Sequence, residues 1–139
     1  MKKYFFLVIS ILAITLSGFT VKVPKAVTDA FSKKFRGATE IKWGKENAHE
    51  YEADFKMNGN KMSANFLADG SWTETEATIA VSALPASVSA AVKLKYPAHT
   101  IAGAFKIKKA SGEILYEAEL KKGSRKMEVI LNAAGTIIK

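Results

Sequence analysis

No cysteine occurs anywhere in the 139 residues. That absence removes disulfides, thiolate nucleophiles, cysteine-based metal centres and any lipid anchor attached through a cysteine. Histidine is nearly as scarce, with only His49 and His99. They lie far apart in the chain, and on a strand His49 would point away from Glu50 and Glu52, so no metal-ligating or catalytic role is expected for either. No Gly-x-Ser-x-Gly elbow, phosphate-binding glycine loop or His-Glu-x-x-His helix is present, which leaves no recognisable catalytic residue, metal site or cofactor site.

What the chain does have begins at its N-terminus. Lys2 and Lys3 precede the apolar run "YFFLVISILAITL", and the small residues Ser17 and Gly18 follow. This is the order of a cleaved secretory signal over residues 1–20, with an apolar run too short to span a bilayer comfortably. The expected location is therefore periplasmic or secreted, with no transmembrane segment after cleavage. The formal charge of +8 falls to +6 when Lys2 and Lys3 leave with the signal. At 48% apolar residues over the full sequence the chain can build a core, and without disulfides packing alone must hold it.

The rest of the sequence says most things twice. "VPKAVTDAFSKKF" and "LPASVSAAVKLKY" both carry Pro in second place. Each then sets apolar residues at helical spacing: Val27, Ala30, Phe31 and Phe35 in the first, Val88, Ala91, Val92 and Tyr96 in the second. Each reads as an amphipathic helix with Pro24 or Pro85 in its first turn, stopped near Gly37 or Pro97. Period-two alternation follows and predicts strands, with Ile41 and Trp43, or Phe105 and Ile107, on one face and Lys42, or Lys106 and Lys108, on the other.

Asn58-Gly59 predicts a type I′ hairpin that pairs Phe55 with Met62, Ala53 with Ala64 and Tyr51 with Phe66. Gly123-Ser124 predicts a type II′ hairpin that pairs Leu120 with Met127, Ala118 with Val129 and Tyr116 with Leu131. For "ADG" there are two readings. A two-residue turn sets Trp72 against Leu67, whereas a three-residue loop with left-handed Gly70 sets Trp72 against Phe66 and, in the second copy, Ile137 against Leu131. The loop keeps both pairs apolar and is preferred.

The predicted fold class is thus α+β: two tandem helix-plus-antiparallel-meander repeats sharing a sheet, with the helices packed on one face. The expected units are repeat 1 over 23–76, a connector over 77–83 and repeat 2 over 84–139. One repeat alone would be marginal in size, so the second copy is expected to complete the core.

The segments "VPKAVTDAFSKKFRGATEIKW", "YEADF", "FLADGSWTETE" and "LPASVSAAVKLKYP" resemble the PepSY-like family, also described as beta-lactamase-inhibitor-like, found in exported proteins of Bacteroidetes-type bacteria. The resemblance implies a tandem α+β repeat with helices on one sheet face. It also implies non-catalytic binding or inhibition in the periplasm.

The residues themselves offer one candidate surface. Glu52 and Asp54, and likewise Glu117 and Glu119, stand two apart on one strand face, with Lys61, Ser63, Lys126 and Glu128 across the hairpins. The face is expected to be open, either simply solvated or docking a periplasmic protein or peptide. The candidate contact set is Glu52, Asp54, Lys61, Glu117, Glu119, Glu128 and Ile130, with Ile130 expected to be an exposed apolar centre ringed by charge. Trp43, Trp72 and Tyr51 share phase with the apolar positions and are expected in the core. A second reading uses Lys25, Lys33, Lys34 and Arg36 on the first helix to hold anionic lipid or glycan of the envelope. Nucleic acid is not expected as a partner of an exported protein.

Overall fold

The computed structural model describes residues 21–138; the signal segment expected over 1–20 lies outside the described residues. Helix α1 (Lys25–Lys34) leads into strands β1 (Thr39–Lys45), β2 (Glu50–Met57), β3 (Asn60–Leu67) and β4 (Trp72–Ile79). A 3-10 turn at Val81–Ala83 precedes helix α2 (Ala86–Lys95) and strands β5 (Thr100–Lys109), β6 (Ile114–Lys122) and β7 (Arg125–Asn132). All seven strands form one antiparallel sheet in sequence order, and β4 joins its halves by pairing directly with β5. Among the described residues the fold is α+β, with two α-helices and one sheet.

The helices form where the apolar stripes place them. Val27, Phe31 and Phe35, and Val88 and Val92, are buried, and Pro24 and Pro85 stand immediately before the first helical residue. Proline fits there because its missing N–H would have had no intrahelical partner. Both hairpin registers are the expected ones, including Tyr51 opposite Phe66 and Tyr116 opposite Leu131. Asn58 and Gly59 both have positive φ, as a type I′ turn requires. Trp72 faces Phe66 and Ile137 bridges to Leu131, so the three-residue loop is the observed one, with Gly70 at φ 89° and Gly135 at φ 84°.

Strand register sets the two faces, because hydrogen-bonded neighbours point to the same side. Ala53, Ala64, Ala104, Ala118 and Val129 lie on the face that bears both helices. The core there is two clusters rather than one. Val27, Phe31 and Phe35 pack with Ala53, Phe55, Ala64 and Phe66; Val88 and Val92 pack with Ala104, Ala118, Leu120, Val129 and Leu131. The expectation that a second copy completes a common core is therefore corrected: the halves share the sheet, and each helix covers its own cluster. Trp43, Tyr51 and Trp72 pack against the first cluster, as their phase predicted.

Strand β5 keeps the expected alternation, but its apolar pair faces away from the helices. Its register shifts between Ile101 and Gly103, so Ile101 and Ala104 both reach the helix-bearing side. Phe105 and Ile107 are thereby turned to the opposite face, and Lys106 and Lys108 fall on the helix-bearing side, where both are exposed. The bulge inserts the extra residue that sets this phase.

Candidate functional site

The face without helices is built from rows of side chains running across the sheet. One row reads Lys42, Asp54, Ser63, Glu76, Ile107 and Leu115; the next reads Glu52, Asn65, Glu74 and Lys109. A third brings Phe105, Glu117 and Ile130 together, and Glu119 stands opposite Glu128. Most of the chain's 13 acidic residues thus gather on one side of a protein whose net charge is positive.

Around Glu117 and Ile130 this face is not the open, solvated surface expected from the sequence, although Asp54 and Lys61 are exposed. Glu117 is 1% exposed, and Ile130, at 8%, packs with Ile107 and Leu115 in a third apolar cluster. The expectation of an exposed Ile130 is corrected: Leu115 shares its side through the β6–β7 register, and Ile107 joins them because the β5 bulge turns it to this side. Of the other candidate residues, Glu52, Asp54, Glu119 and Glu128 share the face with Glu117 and Ile130, Lys61 is exposed at its rim, and Lys126 forms an ion pair with Glu119 at 3.1 Å.

Electrostatics at the centre run against ionisation. Burial, reinforced by Glu117, Glu74, Glu52 and Glu128, pushes Glu76 up to about 8. Burial and the neighbouring Asp54, Glu46 and Glu74 push Glu52 up to about 7. Glu74 is also raised by burial, against the pull of Lys109, and Asp54 is raised by burial against the pull of Lys42. Near neutral pH the middle of the patch therefore holds protonated carboxyls, which donate hydrogen bonds as well as accept them.

Asn65 lies in the same row, between Glu52 and Glu74, and is 5% exposed. Its Oδ1 is buried without a hydrogen-bond partner among the described residues. Sequence reasoning missed Glu74 and Glu76; the hairpin register already set Asn65 on this face, opposite Glu52, but it was not among the candidate contacts. The register shifts between Phe66 and Asn65; an unshifted ladder from the Trp72–Phe66 pair would send both glutamates to the helix side. Alternation in "WTETEA" was the available signal, but its phase depended on that bulge.

The remaining candidates are dispersed. His49 is exposed in the β1–β2 connection, while His99 stacks edge-on against Tyr96 with ring centroids 5.8 Å apart. No group of three or more His, Asp or Glu among the described residues is gathered closely enough to hold a metal ion. On α1, Lys25 pairs with Asp29 at 2.6 Å and the Lys34 ammonium sits 3.7 Å above the Trp72 ring, so part of the basic helix face is engaged within the molecule. Asp69 accepts a hydrogen bond from the Ser71 N–H, which pins its loop; the second loop is pinned instead by Asn132 Oδ1, which accepts from the N–H groups of Ala134 and Thr136. No helix among the described residues is long and apolar enough to cross a membrane.

Comparison with known proteins places this geometry. The family described as "Putative beta-lactamase-inhibitor-like, PepSY-like" matches residues 49–139. A structure described as "putative periplasmic proteins" from Bacteroides eggerthii is similar with a TM-score of 0.77 at 20% identity, covering 85% of this chain and 87% of that one. A DUF2874 family protein from Bacteroides uniformis gives a TM-score of 0.76 at 20% identity, covering 85% and 88%. A BLIP-like protein from Bacteroides fragilis gives 0.69 at 22% identity, covering 88% and 86%. At these identities the likeness speaks for the fold. No curated protein matches the chain.

Proposed function

Because this chain belongs to the PepSY-like, beta-lactamase-inhibitor-like family, we propose that it is an exported, non-catalytic docking protein that binds a protein or peptide partner on its helix-free sheet face. The observation that carries the reading is the composition of that face. A buried apolar cluster of Ile107, Leu115 and Ile130 lies beside carboxyls that burial holds partly protonated. Desolvated acids cost stability in an isolated protein, and such groups concentrate where a surface has work to do.

Glu52, Asp54, Glu74 and Glu76 are all raised, first by burial, which suits a desolvated contact surface.

Export is part of the same reading. It rests on the Lys2, Lys3 and apolar-run order at the N-terminus, together with one structural neighbour that is itself described as "putative periplasmic". We also read the chain as two copies of one unit, 23–76 and 84–139. Support comes from matched details: Thr39 Oγ1 donates to Lys56 O and Thr100 Oγ1 to Lys121 O, and each meander turns at a left-handed glycine set against its own helix.

The test is site-specific photocrosslinking in the native periplasm, with the probe at Lys61 on the rim of the helix-free face or at Lys93 on α2. The expected result is one defined product from position 61, absent from position 93 and lost when Glu119→Lys is added. Equal products from both positions, or none from position 61, would overturn the reading.

A further inference from the structure

We propose that Glu52, Asn65, Glu74 and Glu76 form a subsite for a basic side chain, a guanidinium in preference to an ammonium, presented by the docked partner. The proposal rests on the docking reading above and adds the chemistry of the occupant. Three features of the face point to it.

The first is the unpartnered acceptor. Asn65 Oδ1 is buried on this face in a row flanked by Glu52 and Glu74, and no described residue donates to it. An acceptor left unmatched in such surroundings costs free energy that an incoming N–H donor recovers. A guanidinium supplies several N–H donors from one plane and can meet the amide oxygen and two carboxylates at once, whereas an ammonium is a point charge.

The second is charge. Around Glu76 the neighbouring elements present Asp54 and Glu52 from β2, Glu74 from its own strand, Glu117 from β6 and Glu128 from β7. The flanking cations are Lys42, opposite Asp54, and Lys109, opposite Glu74. Both sit at the ends of the rows, leaving the middle without a cation of its own in either row. The patch is complementary to a basic segment although the whole protein is basic, so attraction to it is local.

The third is protonation. Burial and like charges hold protons on Glu52 and Glu76 at neutral pH. A cation seated among them favours the ionised forms, so binding expels protons into solution.

The experiment uses the mature protein and an alternating arginine–alanine peptide, with the same peptide carrying citrulline for arginine as the neutral control. Calorimetry at pH 7.5 in buffers of different ionisation enthalpy reads affinity and proton release together. The arginine peptide should bind at least about tenfold more tightly than the citrulline peptide and release protons. The double variant Glu74→Gln and Glu76→Gln should lose about tenfold in affinity and most of the proton release, while Asp29→Asn on α1 and Asp69→Asn in the loop after β3, both remote from the face, should change neither. Asn65→Leu, checked for folding by its denaturation midpoint, should narrow the preference for arginine over a lysine–alanine peptide.

Equal binding of the citrulline peptide, equal losses in the remote-acid variants, or binding without proton release would overturn the proposal. If a partner crosslinks at position 61 but is neither displaced by the arginine peptide nor weakened by the double variant, the subsite falls and the docking reading stands. If no partner crosslinks and no peptide binds, both fall.

Discussion

Gly135 lies against the main chain of Ser87 so closely that a Cβ on the glycine would stand 2.5 Å from the Ser87 carbonyl oxygen. Gly70 meets Ala26 in the same way, at 2.6 Å. In each half a meander loop is pressed on the first turn of the helix, and in the second half Ser87 Oγ donates to Ala133 O at 2.6 Å. Gly70→Ala and Gly135→Ala should each cost roughly 2–4 kcal/mol, from left-handed strain and the backbone collision together. Gly59→Ala, also at positive φ but with open space around it, should cost only about 1 kcal/mol. Urea denaturation of the three variants checks the difference. Equal losses at all three positions would mean that the contact with the helix carries none of the effect.

Ile130 separates burial from docking. It packs with Ile107 and Leu115 on the helix-free side, so Ile130→Ala should destabilise the protein by about 2–4 kcal/mol. Ile130→Lys should cost more, because a charge is buried with it. Rim residue Lys61 is exposed, and Lys61→Glu should move stability by less than about 0.5 kcal/mol. Thermal and urea unfolding read all three; an Ile130→Lys protein as stable as the wild type would show that the third cluster does not form.

Hairpin register was legible in the sequence because turn chemistry fixes it. Asn58-Gly59 admits a type I′ turn, and every pair counted outward from it follows. The helix stripes were legible for the same local reason. Bulges were not. In "TIAGAFKIKK" the isolated Gly103 is the one hint of the extra residue between Ile101 and Gly103, and it does not fix the phase, yet the bulge decides that Ala104, not Phe105 or Ile107, joins the α2 core. A second shift, between Asn65 and Phe66, brings Glu74 and Glu76 to the candidate face. Half of that face, including Glu52, Asp54, Glu117 and Glu119, followed from the hairpins. Its other half and its depth depended on how strands from different hairpins meet, which no local pattern encodes.

The N-terminus offers an independent check. If residues 1–20 are a cleaved signal, the exported protein begins between about residues 18 and 22. Intact-mass measurement of protein recovered from the periplasm should show a chain without Lys2 and Lys3. A mass that includes them would remove the export argument while leaving the fold untouched.

Glu76 makes stability depend on pH in a defined direction. Its carboxyl is raised from an ordinary 4.5 to about 8 in the folded protein, first by burial and then by Glu117, Glu74, Glu52 and Glu128. Between those values the folded chain keeps a proton that the unfolded chain has released, so stability falls with rising pH. The contribution is complete below about 4.5 and lost as the pH passes through about 8. Glu52, raised to about 7, adds a loss in the same direction that ends lower. The wild type should therefore weaken between pH 5 and 9, by on the order of 1–3 kcal/mol from these two groups together. Glu76→Gln imitates the protonated carboxyl at every pH. It should leave stability at pH 5 nearly unchanged, raise it at pH 9 and flatten the slope between, in urea titrations at each pH. Asp29→Asn, which removes an exposed acid paired with Lys25, should leave the slope as it is. A Glu76→Gln protein with the wild-type slope would place the titrating protons elsewhere and deny the helix-free face its desolvated centre.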